Sequence, residues 1–217
     1  MNAQSSAART VASEPVLLRE TNGPIALLTL NRSTARNSLS EALINALSDA
    51  FTAIAADKAI RAVVLTANGP AFCAGHDLKE LSSRRSDSDG GRGYFAHIMT
   101  TCSAMMQQIV RLPQPVIAAV QGVAIAAGCQ LVASCDLAIA SSTAKFGTPG
   151  VDIGLFCSTP MVALSRNVAR KHAMETLLTG DMFSAEDAAR IGLVNRVVAP
   201  GAEREEAIEL ADRKSVV

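Results

Sequence analysis

The chain has 217 residues, enough for one domain or one domain plus a short appendage. Its 49% hydrophobic content supplies a large core, but only 3% of residues are aromatic and Trp is absent, so Ala, Val, Leu and Ile carry the packing. The 20 basic residues balance 20 acidic ones, which offers no basic face to nucleic acid or anionic lipid, and no apolar run is long enough to span a bilayer.

Residues 1–14 are rich in Ser and Ala and read as a flexible arm ahead of a domain over 15–217. Val16–Glu20 and Ile25–Asn31 read as strands around the turn signal Asn22-Gly23, a hairpin. Ser40 is placed to cap a helix whose apolar face is Leu43, Ile44, Leu47, Phe51 and Ile54. A buried strand over Ala62–Thr66 leads into a loop from Asn68 to Asp77 and then a short helix. The polar, Gly-rich stretch 82–93 reads as a mobile surface loop. A long helix follows, with Phe95, Ile98, Met99, Cys102, Met105, Met106 and Ile109 on one face, until Pro113 and Pro115 break it.

The strand Val116–Val120, a turn after Gly122 feeding a helix, and the strand Leu137–Ala140 come next. Helices are expected over 160–179 and 184–191, the second opened by Ser184 with Asp187 three residues on and stopped by Gly192. A strand over Leu193–Val198 and a helix from Ala202 to Lys214 complete the order. Three stretches, Ala62–Leu81, Val116–Ser134 and Leu137–Val151, share one plan: buried strand, Gly-containing loop, then small residues opening a helix. Stacked β-β-α units fit this better than doubly wound βα units.

Phosphate loops, the G-x-S-x-G elbow and H-E-x-x-H are all absent, and the histidines at 76, 97 and 172 lack metal-ligand spacing. The five cysteines make no C-x-x-C pair and read as buried hydrophobes of a reducing compartment. What remains are two small-residue turns before helices, Phe72-Cys73-Ala74-Gly75-His76-Asp77 and Ile125-Ala126-Ala127-Gly128-Cys129-Gln130. At such a helix start the first N–H groups lack partners and lie at the positive end of the dipole. Facing each other, two such turns make a two-donor site for a developing oxyanion.

Asn31-Arg32, Arg36-Asn37-Ser38-Leu39, PAFCAGHDLKEL, PVIAAVQGVAIAAGCQLVASCDLAIAS and KFGTPGVDIGL occur in that order. Together they resemble the crotonase (enoyl-CoA hydratase/isomerase) superfamily from about Pro15 to Arg213. The resemblance implies an α/β protein with the crotonase-type β-β-α spiral, binding acyl-CoA thioesters, as homotrimers or hexamers. It implies oxyanion donors at the backbone N–H groups of His76 and Ala127, with Gly128 beside them. Ser38, Ala74, Asp77 and Leu78 are implied near the adenine and Arg36 near the phosphates, with Lys79 a further binding candidate. Coenzyme A enters as part of the substrate; no permanently bound cofactor and no metal are expected. A cytoplasmic or mitochondrial-matrix setting fits.

The resemblance also shows departures. Matching residue by residue puts Gln130 and Gly150 where hydratases carry two glutamates. Each acid–base group of that kind is worth about 10²–10⁴ in rate, so ordinary hydration is not expected. Asp152 is the nearest replacement carboxylate, against a plain turn residue. Cys157 is a candidate lining of the acyl pocket, against an inert buried thiol. His at position 76 has a precedent in a decarboxylase of the superfamily, whose chemistry needs no base. A non-catalytic acyl-CoA-binding protein is the other reading. Family members continue past the region of Val198 into further helices, so a shortened C-terminal region is expected.

Overall fold

The computed structural model describes residues 14–213; all of the expected arm but Glu14, and the expected helix end at Lys214, lie outside them. Strands β1 (Leu17–Asn22) and β2 (Ile25–Leu30) pair antiparallel around Gly23, whose φ of 55° suits a tight turn. Helix α1 (Glu41–Ala56) begins where the Ser40 hydroxyl accepts the Leu43 N–H at 3.2 Å. Its buried face is the expected one, Leu43, Ile44, Leu47, Phe51 and Ile54, with Ala50.

Three coils then follow. The first is β3 (Ala62–Ala67), β4 (Ala71–Cys73) and α2 (Leu78–Ser83); α3 (Arg92–Arg111) leads out of it. The second is β5 (Val116–Val120), β6 (Val123–Ile125) and α4 (Ala127–Ser134); the third is β7 (Leu137–Ser141), β8 (Lys145–Gly147) and a 3-10 turn over Pro149–Ile153. The chain ends through α5 (Ser158–Asn167), α6 (Arg170–Thr179), β9 (Phe183–Ser184), α7 (Ala185–Arg190), β10 (Arg196–Val198) and α8 (Glu203–Arg213).

Each coil lays one strand in each of two sheets. The larger has the order β1-β2-β3-β5-β7-β10 and the smaller β4-β6-β8-β9, parallel except at β1/β2 and β8/β9. This is the expected spiral. The main core fills one face of the large sheet. On the other, Ala207, Leu210 and Ala211 of α8 pack on Leu27, Val64, Ile117 and Ile139. Burial on both faces is why β2, β3 and β5 are apolar without alternation.

Three local expectations change. Loops read over 68–77 and after Gly122 contain the short strands β4 and β6. The stretch 82–93 is not an open loop: a 3-10 turn spans Arg84–Ser86, and the Asp89 carboxylate accepts N–H bonds from Gly91 at 2.9 Å and Gly93 at 2.7 Å, fixing the start of α3. The region 160–179 is two helices, because Val168 is extended and the Asn167 amide bonds to the Ala133 and Ala163 carbonyls.

The tightest inter-element contact in the spiral's centre is at Gly128. A Cβ there would meet the Cys73 carbonyl oxygen at 2.0 Å, so α4 can rest this closely on β4 only with glycine at 128. Gly128→Ala is expected to cost at least about 1–3 kcal/mol by forcing the two apart, a drop of several degrees in Tm. An unchanged Tm in a thermal melt would show that α4 is free to withdraw from β4.

Candidate active site

The β4 and β6 strands run parallel, with Ala71 opposite Val123 and, after a register irregularity, Cys73 opposite Ala124, so their ends deliver two turns to one place. Gly75, at φ 88°, is packed so closely that a Cβ would lie 3.1 Å from Ala126 Cβ and 3.5 Å from the Ala127 nitrogen. Ala126 in turn holds φ 50° and ψ −120°, a conformation suited to glycine. Such backbone strain costs on the order of 1–3 kcal/mol and persists only where the surroundings over-determine it. Here they do: the Ala126 N–H donates to Gly147 O at 2.9 Å, and its carbonyl accepts Gln130 N–H at 3.0 Å.

The direction of each N–H follows from planar trans peptides, in which C=O and N–H point opposite ways. The Ala126 carbonyl points along α4 to Gln130, so the Ala127 N–H points out of the helix N-terminus. The Gly75 carbonyl accepts the Leu39 N–H at 2.8 Å, so the His76 N–H points away from Leu39. Asp77 N–H then donates back to Leu39 O at 3.1 Å, and Leu39 brackets the His76 position from both sides. Among the described residues, neither the His76 nor the Ala127 N–H donates to an acceptor.

A polar cluster braces this bracket. Arg32 donates through Nη1 to the Ser38 carbonyl and hydroxyl, and through Nη2 to Asp77 Oδ2 at 2.9 Å. Asp77 Oδ1 caps α2 through the Lys79 and Glu80 N–H groups. Burial raises the Asp77 carboxyl, but Arg32 and these amides outweigh it and hold it below the usual carboxylate range. Asn37, fully buried at φ 51°, accepts Arg32 N–H and donates to the Asn68 and Ala71 carbonyls, both at 2.8 Å. Neither Arg32 nor Asn37 was assigned a role by the sequence reading. The available signal was a charged residue two positions after a fully buried strand, where it has to find partners.

The other expected residues are placed as follows. The N–H groups of Ser38, Ala74 and Asp77 are taken by the Ala35, Arg36 and Leu39 carbonyls, so these donors are not free for a ligand. Arg36, Leu78 and Lys79 are exposed around the rim. Gln130 is buried, one helical turn from Ala127, and its Oε1 lacks a partner; so does the buried Nδ1 of His76. Burial holds the His76 imidazole below its ordinary pKa. Gln130 also lines a cavity of about 750 Å³ between α3, α4 and α5. A larger cavity, about 840 Å³, lies between α1 and α3 and touches neither turn.

Gly150 is closed by backbone: a Cβ there would meet the Leu155 carbonyl at 2.3 Å and Cys157 Sγ at 2.7 Å. Asp152 is exposed, its Oδ1 beside Gly180 at the end of α6. The Cys157 thiol is buried and bonds to Thr148 O at 3.6 Å. Burial pushes Cys73 and Cys129 up to about 12, so neither is a thiolate near neutrality. Among the described residues no group of three or more potential ligands could hold a metal ion, and no helix is long and apolar enough to cross a membrane.

A two-sheet spiral presenting two unpaired N–H groups at abutting turns defines a crotonase-fold protein. The family model for enoyl-CoA hydratase/isomerase matches residues 20–215, and the chain belongs to that family. It is 45% identical over 197 residues to "Enoyl-CoA hydratase domain-containing protein 3, mitochondrial" of Homo sapiens, covering 91% of this chain and 63% of that protein. A crystal structure of enoyl-CoA hydratase from Mycobacterium smegmatis matches with TM-score 0.87 and 52% identity, covering 93% of this chain and 77% of that one. The human domain-containing protein 3 structure matches with TM-score 0.86 and 42% identity, covering 92% and 77%. The chain thus spans about two thirds of the length of the first curated relatives, 66% for the rat protein.

The His76 environment has a consequence for stability. Its folded pKa is depressed, so the unfolded chain takes the proton more readily. The folded state therefore keeps its full stability above the ordinary imidazole value of 6.5 and loses it as pH falls from there towards the lower folded pKa. His76→Gln is expected to flatten this part of the curve. Urea midpoints measured between about pH 5 and 8 check it; identical pH slopes for both proteins would show that the imidazole is not desolvated.

Proposed function

We propose that the chain binds an acyl-CoA thioester and polarises its carbonyl oxygen between the His76 and Ala127 N–H groups. The observation that carries this is the pair of unpaired N–H groups on turns pressed together at Gly75. Each is aimed by a peptide whose carbonyl is already bonded. Loss of one such donor typically costs about 10²–10³ in rate. Gly128 lets α4 approach, and the exposed Arg36 and Lys79 at the rim are available to coenzyme A phosphates, with Ser38, Ala74, Asp77 and Leu78 beside them. The cavity that Gln130 helps to line, one turn along α4 from Ala127, is the space assigned to the acyl chain in this reading.

The chemistry this supports is enolate formation without a protein base. Gln130 has no basic site, and position 150 is occupied by packed backbone. A malonyl-type thioester needs neither group: its C–CO₂⁻ bond breaks, CO₂ leaves, and the electron pair becomes an enolate whose oxygen the two N–H groups hold. A proton from solvent then gives the acyl thioester. The second reading, binding without turnover, is favoured by the same closure at Gly150. The homotrimer or hexamer belongs to this proposal and is supported by the exposed side chains of Ile153, Leu155 and Phe156.

Calorimetric titration with acyl-CoAs, followed by mass analysis of each mixture, separates the readings. Binding with CO₂ release supports the enzyme, binding alone the second reading, and no binding sinks both. Ala127→Pro, at a first helical position where proline is tolerated, is expected to abolish turnover or weaken binding at least tenfold; unchanged behaviour in a folded variant refutes the donor assignment. Gln130→Glu is expected to leave crotonyl-CoA hydration at background, because the second carboxylate position stays closed. A hydration rate within about tenfold of a two-glutamate relative would overturn that expectation.

A further inference from the structure

We propose that Arg32 is a positioning residue that aims and polarises the His76 N–H through two hydrogen-bonded peptide units. The inference rests on the oxyanion reading above and concerns a residue whose guanidinium is taken up by protein partners. Its basis is an unbroken chain of bonds. Arg32 Nη1 donates to the Ser38 carbonyl. That carbonyl shares a peptide with the Leu39 N–H, which donates to the Gly75 carbonyl at 2.8 Å. The Gly75 carbonyl shares a peptide with the His76 N–H, the proposed donor. A guanidinium therefore stands at the head of a series of aligned dipoles that ends at the ligand.

Hydrogen bonds in series strengthen one another by perhaps 10–30% per bond, and a charged donor makes the first bond the strong one. The cation is held where it works by a fork. Nη2 is paired with Asp77 Oδ2, and Ser38 Oγ bonds to both Nη1 and Asp77 Oδ2. Asp77 itself follows His76 in the chain and caps α2, so the same pair fixes the far side of the His76 residue. Lys in place of Arg would keep the charge but has no planar fork to reach Ser38 O and Asp77 together. The arrangement differs from an ordinary surface ion pair, because both partners are largely covered, with side-chain exposures of 21% and 11%.

The test reads the carbonyl itself. Butyryl-CoA carrying ¹³C at the thioester carbon is bound to the whole protein, and its carbonyl stretch is compared with that of the free thioester by difference infrared spectroscopy. The parent protein is expected to shift the band to lower frequency. Arg32→Met combined with Asp77→Asn, which leaves no unpaired buried carboxylate, is expected to lose roughly a tenth to a third of that shift and to bind several-fold more weakly. Arg32→Lys covers the case in which the double variant does not fold, and is expected to fall between the two. In Arg32→Ala, added guanidinium is expected to restore part of the shift, which a purely structural brace would not do. A full shift in folded Arg32→Lys and in the double variant overturns the relay while leaving the oxyanion reading intact. Butyryl-CoA bound to the parent with no shift overturns the oxyanion reading, and the relay with it; no binding at all overturns the thioester reading.

Discussion

The approach of the Cys73 carbonyl to Gly128 governs the centre of this molecule. With no Cβ at 128, α4 comes down onto β4 until the first coil's turn meets the second's, and Gly75 lies against Ala126. That contact leaves Ala126 little freedom. It takes a conformation that an L-residue rarely adopts, stabilised by the Gly147 carbonyl on one side and the Gln130 N–H on the other. The small-residue composition of the two turns is thus a packing requirement first. The nearness of the two N–H groups follows from it.

Because each donor belongs to a rigid peptide, its aim is decided by whatever binds the carbonyl at the other end. For Ala127 that partner is the first hydrogen bond of α4, and for His76 it is Leu39. The two are stabilised differently. The helix supplies its own partner, whereas Leu39 is held by its place in the core and by the polar network of Arg32, Ser38, Asn37 and Asp77 around it. A network of this kind is costly if one member goes missing, since the others are left buried and unpaired. The Arg32–Asp77 pair therefore matters to the site beyond any contact of its own with a ligand.

Much of this architecture was legible in the sequence. The apolar strands, the faces of α1 and α3, and the caps at Ser40 and Ser184 follow from periodicity and local hydrogen bonding, which reach only a few residues. The second sheet was not legible, because β4, β6, β8 and β9 have two or three residues, too few to show alternation. The break between α5 and α6 was missed because its cause is distant: Asn167 bonds to Ala133, 34 residues away. The two small-residue turns were visible as words, but the brace behind them was not. Asn37 reaches Asn68 and Ala71, and Arg32 reaches Asp77, 45 residues on. The obstruction at Gly150 lies in its contact with Leu155, across a turn whose shape no local pattern announces.

These contacts divide the labour of the fold unevenly. Main-chain atoms of the first and second coils carry the two unpaired N–H groups, and they are locked by packing at Gly75 and Gly128 that leaves no room for a Cβ. Proton-transfer groups, by contrast, would be side chains carried on α4 and on the third coil, where substitution changes chemistry without disturbing the donors. Gln130, a buried side chain on α4, has nearly the volume of a glutamate but no basic site. Gly150 goes further, since the Leu155 carbonyl now occupies the space a side chain would need. Restoring an acid there would require the segment Pro149–Cys157 to be rebuilt, not one residue exchanged. If the chain binds a thioester as proposed, the reactions open to it are those in which the substrate brings its own electron pair.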